Sequence, residues 1–519
     1  MKLQDGPTEE RSVPAENGLA GAPANGDPTE QVPVATGELP EELRRYLVQF
    51  YGVFGRRETF ERACQYTVGL LSALPRKNGE TMAAAIANVP NKQSIYQFLA
   101  VSPWEAPELD RRRVQHALAV ASSGRDCTVI FDEVSQLKQG RSSVGVKRQY
   151  LGCVGKTANG QVAVTLHYCD DRFDWPITGQ IYLPREWAED EARRKQARIP
   201  AEVPFLAKGQ IALALLSRAR SWGVPVHCVA MDPGYADLAT LGALDEQGLA
   251  FCAGVKSDFG VRVPQEVEDW MPPEAAPHRR GRPRLHPDPR LLPPVYRVDA
   301  VRAAIPEELW RTVTYREGTT GLLTKQFAAV QARCATAERT GPAVWLLFER
   351  PCPGTIGDHK QYVVAPRSEA TLDELAQLAH RRPLIERYSY ENGKGEAGLS
   401  DYQGRSWQGF HHHLAMVMVA LTWLNLQRRA LPTPSRPRPT SADAERQPTP
   451  PHIDLTCKGR ALTFRVAPVH STGIPIPRQA WESVQAVHRR WLQWCAIAVH
   501  HSLTRREQPL VPPRFARLC

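Results

Sequence analysis

The residues of this sequence that could do chemistry are acids placed just after apolar runs. Asp132 follows Val129, Ile130 and Phe131, and Asp232 follows the run VHCVAM and precedes Pro233 and Gly234. Each carboxylate is expected where a strand leaves the core and meets solvent. A lone aspartate there often does no more than open a turn, by bonding the backbone two residues on. Two of them at the ends of neighbouring central strands are also an arrangement that holds a hard divalent cation through oxygen. Glu386 lies three residues after Pro383, and proline is favoured in the first turn of a helix. The helix dipole there favours the ionised carboxylate, the form a metal ligand needs. A glutamate at a helix start is otherwise an ordinary surface feature, so Glu386 gains meaning only beside the two aspartates.

Two further groupings invite chemistry and are read differently. GCVGKT (152–157) ends like a phosphate-binding loop, but the first glycine would fall at Tyr150, and the alternating GQVAVTL rather than a helix follows. His411, His412 and His413 are consecutive, and consecutive helical residues point about 100° apart, so they cannot converge on one ion. Packing or a phosphate contact is the reading for them.

The elements that would position the acids follow from periodicity. Residues 1–38 are acidic, rich in Pro, Gly and Ala, and without apolar periodicity, so they are expected to be a disordered tail. Residues 39–122 read as a small helical domain, assigned to DNA binding. Strands are predicted over Cys127–Phe131, Gly160–Tyr168, Thr178–Leu183, Val226–Met231 and Leu249–Val255, with helices over Lys208–Trp222 and Leu238–Glu246. Three strands, then helix, strand, helix and strand is the order of a ribonuclease H-like α/β core, here 123–255. Between 256 and 340 the pattern weakens around the basic, proline-rich HRRGRPRLHPDPR (278–290), and an inserted subdomain is expected. The core resumes over 341–429, with strands Ala343–Glu349 and Gln361–Ala365, a helix from Leu372 to about Arg381, and a helix from about Trp407 to Arg429. Phe410, Leu414, Val417, Leu421 and Leu424 give that last helix its apolar stripe. A proline-rich linker (430–452) and a basic, helical C-terminal region (453–519), with a helix over Trp481–Ser502, complete the chain.

Composition narrows the function class. The net charge of +10 is uneven: residues 1–40 hold 7 acids against 2 bases, and residues 403–519 hold 16 bases against 5 acids. The basic end suits a polyanion, although a solvated surface would look similar. The eleven cysteines include no Cys-x-x-Cys pair, which argues against zinc-ribbon or redox chemistry. No apolar run is long enough to span a bilayer and MKLQDGPTEE lacks the apolar core of a signal peptide, so a cytoplasmic protein is expected.

Three blocks carry a family resemblance: VIFDEVSQLKQGRSSVGVKRQYLGCVGKTANGQVAVTL (129–166), VAMDPGYAD (229–237) and RRPLIERYSYENGKGEAGLSDYQGRSWQGFHHHLAMVM (381–418). They resemble the signature blocks of bacterial insertion-sequence transposases of the DDE superfamily, over roughly residues 120–430. The third is the most specific, since GLSDYQGRSWQGFHHH combines rare residues at fixed spacing. The resemblance implies a ribonuclease H-like fold and metal-dependent cleavage of transposon ends followed by strand transfer. It implies two Mg²⁺, replaceable by Mn²⁺, held by Asp132, Asp232 and Glu386. It also implies double-stranded DNA, both transposon ends and target, as partner, a homodimer on that DNA, and no nucleotide cofactor. Arg382 matches the family's arginine, and Arg382, Lys394 and Arg405 become the candidates for phosphate contacts. The insertion would contact the element's ends, with Trp270 and Trp310 either stacking on bases or packing in the core. Two positions depart from the pattern. The family's lysine falls seven residues after the glutamate, whereas here position 393 is Gly and Lys394 comes eight after it, and Asp-Thr usually follows the first aspartate where this chain has Glu133 and Val134. Glu396 therefore stays open as the third acid. So does a transposase-derived DNA-binding protein without catalysis, and so does a nuclease that cuts without joining.

Overall fold

A computed structural model describes residues 39–74, 76–86, 89–170, 173–271, 293–318, 321–382, 397–430, 453–457 and 460–464. Its centre is a mixed twelve-stranded sheet: β1 (Thr128–Leu137), β2 (Lys147–Leu151), β3 (Lys156–Cys169), β4 (Asp174–Ile181), β5 (Cys228–Met231), β6 (Ala250–Gly254), β7 (Gly260–Arg262), β8 (Tyr296–Arg297), β9 (Arg311–Gly318), β10 (Gly321–Ala335), β11 (Thr340–Arg350) and β12 (Lys360–Ala365). β1, β5 and β6 run parallel at its middle, β3 and β4 continue it antiparallel on one side, and the path β4-β3-β1-β5-β6 is the ribonuclease H-like order. Helices link the parallel strands because a parallel pair needs a crossover.

Alternation along the strands sends side chains to two faces. Val129, Phe131, Val229 and Met231 share a core with the helices Lys208–Ser221 and Leu238–Glu246. Ile130, Val134 and Ala230 face the opposite core, built from the helix Trp407–Ala430 and the helices of residues 41–121. The N-terminal helices are thus not packed on themselves alone. Tyr46 donates to the Val419 carbonyl at 3.2 Å, Gln408 donates to the Ser102 carbonyl at 2.7 Å, and Arg113 meets Thr422 at 3.0 Å.

Three findings differ from the sequence reading. β1 runs six residues past Phe131, so Asp132 lies within a strand and not at its end. The parallel partner β5 does stop at Met231, but β3 pairs with β1 antiparallel as far as Leu137 and keeps it extended. The segment 256–340, expected as an inserted subdomain, holds β7 to β10, and these strands join the same sheet through β11 and β12. Of the C-terminal region 453–519, read as helical, the described part is an antiparallel hairpin, β13 (Ile453–Cys457) with β14 (Arg460–Phe464). The HRRGRPR segment and the helix expected over Trp481–Ser502 lie outside the described residues.

A candidate acidic site on the central strands

β1 and β5 pair in parallel with Phe131 opposite Met231, so the next residues, Asp132 and Asp232, leave the paired stretch side by side. Adjacent strands lie roughly 4.8 Å apart. Asp132 is buried, and its position is fixed from several directions. Its Oδ1 accepts from the Glu133 backbone N–H at 2.7 Å, and its carbonyl accepts from the Tyr235 hydroxyl at 3.1 Å and the Thr165 hydroxyl at 3.3 Å. Asp232, half-buried, accepts from the Gly234 N–H at 2.8 Å, the local turn its Pro-Gly sequence foretells.

Arg382 closes on this pair, donating to Asp132 Oδ2 at 3.1 Å. Arg381, beside it, donates to the Asp126 carbonyl at 2.7 Å and the Thr128 hydroxyl at 2.9 Å at the start of β1. Glu133 points to the other face, as alternation requires, and pairs with Lys208 at 2.7 Å. Burial pushes its carboxyl above the usual range, Lys208 pulls it back, and the charge of Asp232 adds to the rise. Glu133 therefore belongs to the electrostatic surroundings of Asp232, a role the sequence reading did not assign.

The third signature block has a visible purpose in the structure. Downstream of the acid-bearing stretch, residues 397–406 lie along the distal half of β1. Gln136 Nε2 donates to the Ser400 carbonyl and, at 2.9 Å, to that of Tyr402, Lys138 also donates to the Tyr402 carbonyl, and the Val144 N–H reaches the Arg405 carbonyl at 3.0 Å. Asp401 accepts from the Lys77 N–H at 2.9 Å, and Gly398 has φ +68° with a Cβ position only 2.9 Å from Lys77 Cβ. A side chain at position 398 would meet both penalties, which explains the glycine. The Arg405 side chain is exposed at the edge of this loop.

Glu386, Lys394 and Glu396 lie outside the described residues. Among the described residues no group of three or more His, Cys, Asp or Glu converges as a metal site. Asp132 and Asp232 fit a hard divalent cation in chemistry and in placement, as two carboxylates on adjacent strands, and a complete set needs a further oxygen donor.

The other expectations resolve into structure. Leu151 to Gly155 form the turn between β2 and β3, so GCVGKT is a hairpin, and no phosphate loop precedes a helix there. His412 stacks on Trp104 with ring centres 3.6 Å apart and bonds the Trp104 carbonyl at 2.7 Å, while His413 meets the Tyr66 hydroxyl at 2.8 Å. Their role is packing. Trp310 is buried under the Arg350 guanidinium, 4.1 Å from its ring centre, and Trp270 is half-buried against the core, so neither is set out to stack on bases. Among the described residues, no helix is long and apolar enough to cross a membrane.

Comparison with known proteins places these features. The family described as "DDE superfamily endonuclease" matches residues 49–322, from the first helices through the parallel strands into β10. The chain is 30% identical over 220 residues to the "Probable transposase for insertion sequence element IS701" of Microchaete diplosiphon, an alignment covering 42% of this chain and 54% of that protein. The match thus spans about half the length of the relative.

Proposed function

The chain belongs to the DDE superfamily of endonucleases, and from that premise we propose that it is an insertion-sequence transposase, which cuts the ends of its element and joins them to target DNA. The observation that carries this reading is the register of β1 and β5, which brings Asp132 and Asp232 out side by side. The similarity to the IS701 protein supports the same reading. Endonucleases of this superfamily generally use divalent metals. Asp132, Asp232 and Glu386 would hold two Mg²⁺, with Mn²⁺ able to replace them. When bound, such ions activate the attacking oxygen and stabilise the leaving oxygen of an in-line displacement.

The chain's own residues supply the rest. Tyr235 and Thr165 fix the Asp132 backbone, and the Gly234 N–H fixes the Asp232 carboxylate, so both acids are preorganised. Arg382, held against Asp132, lies where it can meet a phosphate next to the scissile bond, and Lys394 and Arg405 would extend that contact. Glu386 lies four residues beyond Arg382, and four residues of chain span at most roughly 14 Å. That short tether keeps it near Arg382, which is compatible with a third metal ligand. Water first cuts the element's end, and the 3′-hydroxyl it exposes then attacks target DNA in the same site, so neither ATP nor a covalent protein intermediate is required. The double-stranded DNA partner would be bound by a homodimer.

The experiment uses a plasmid bearing the gene with its native flanks, incubated with the full chain and Mg²⁺. Cleavage and end joining should vanish with chelator and in Asp132→Asn and Asp232→Asn, while DNA binding persists. Metal-dependent cleavage retained by either variant refutes the assignment.

A further inference from the structure

One buried charge cluster lies away from the acids. Glu349, on β11, is fully buried in the middle of the sheet extension, where an ionised carboxylate is costly unless every oxygen is bonded. Its Oε1 pairs with Lys325 of β10. Its Oε2 accepts from the Tyr362 hydroxyl of β12 at 3.0 Å and from His380 Nε2 at 2.9 Å. Burial works to raise this carboxyl, and the bonds and charges of His380 and Lys325 override it, bringing it down to about 2. The acid is therefore a fixed anion between three donors.

His380 is the partner with consequences. It caps the C-terminus of the helix Leu372–Ala379, its ring is stacked on Tyr315 of β9 at 3.8 Å, and the chain then passes through Arg381 directly into Arg382. Within three residues, one backbone segment is tied to the sheet extension at His380, to the start of β1 at Arg381, and to Asp132 at Arg382. We propose that His380 is a positioning residue for the acidic site: its bond to buried Glu349 fixes the end of this helix and thereby sets where Arg382 meets Asp132. The strands of 311–335 are coupled to the acids through that bond, since Tyr315 and Lys325 hold the other sides of the same cluster. This rests on the reading of Asp132 and Asp232 as the cleavage site.

The test measures single-turnover cleavage at saturating plasmid, and DNA affinity separately, for the full chain. His380→Leu should slow cleavage at least tenfold with DNA affinity within twofold of the parent. His380→Gln, whose amide can donate where Nε2 does, should stay within threefold. Glu349→Gln keeps the shape and removes the charge, and it carries the expectation of His380→Leu if that variant does not fold. A parental rate in His380→Leu, an equal loss in His380→Gln, or a fall in DNA affinity matching the fall in rate each overturns the proposal. Asp132→Asn, run alongside, separates the two readings: if it still cleaves, the site assignment has failed, and if it is inactive while His380→Leu is not, only the positioning role has.

Discussion

Arg113 offers the sharpest test of how the helices of residues 41–121 are joined to the sheet. Its guanidinium is completely buried and bonds the Asp110 carboxylate at 2.8 Å, the Thr422 hydroxyl at 3.0 Å, the Pro176 carbonyl at 2.6 Å and the Ile177 carbonyl of β4. Asp110 also accepts from Thr178 at 2.8 Å. Three elements meet at one charge. Arg113→Met keeps much of the volume and removes every bond, leaving a buried carboxylate with a single hydroxyl, and breaking a buried pair in this way costs about 3–5 kcal/mol. Burial raises the Asp110 carboxyl and Arg113 lowers it, so the variant keeps the first influence and loses the second. The folded-state pKa of Asp110 then rises further above its unfolded value. The folded variant takes up a proton that the unfolded chain does not, so its stability recovers as pH falls through that pKa and is poorest above it. Urea unfolding followed by tryptophan fluorescence should show the full deficit near about pH 8 and a smaller one near about pH 5. Adding Asp110→Asn removes the stranded charge and should return at least about half of the loss. A deficit below about 1 kcal/mol, or one that does not shrink in acid, would refute the account of this junction.

Two further outcomes are expected. Burial pulls His411 and His412 down to about 4 and holds His413 and His167 at about 3. Because the unfolded chain binds protons below about pH 6.5 and the folded chain does not, stability should fall as pH drops from there toward 4. Replacing His413 with Gln should flatten that fall in an acid titration of unfolding, and an unchanged slope would show that the imidazole is not the source. For the third acid, Glu386→Gln should eliminate both cleavage and joining while Glu396→Gln leaves measurable activity. The reverse pattern in the same plasmid assay would move the ligand ten residues along the chain.

The parts of this fold that were legible in the sequence are those written in a local period. The strand before Asp232, the helix Leu238–Glu246 and the helix Trp407–Ala430 all follow from local signals: a short apolar run for the strand, buried on both faces, and apolar residues recurring at spacings of three and four for the helices. The continuation of β1 was missed because Glu133, Gln136 and Lys138 look like solvated residues. Their partners, Lys208 and the carbonyls of Ser400 and Tyr402, are far away in sequence. The strands of 311–335 did carry a signal, since Val313 and Tyr315 alternate with Thr312 and Thr314, but flanking basic and proline-rich residues obscured it. Glu349 could not have been found from its surroundings in sequence, as an acid ending a strand reads as exposed until the donors across the sheet are known. The pairing of Asp132 with Asp232 was legible in outline, because two apolar runs ending in aspartate point to two central strands, although only the register fixes them side by side.

The packing of the first helices on the last long one has a consequence for the birth of the protein. Tyr66 meets His413 across 347 residues, Tyr46 meets Val419 across 373, and Trp104 meets His412 across 308. At roughly 5–20 residues per second, a ribosome needs about 15–75 s to make stretches of that length. Throughout that interval Phe50, Phe54, Phe98 and Trp104 have emerged without the surface that will cover them. The nascent chain therefore carries an uncovered apolar face until the helix Trp407–Ala430 has been made, and a holdase that binds such faces would protect it over that interval.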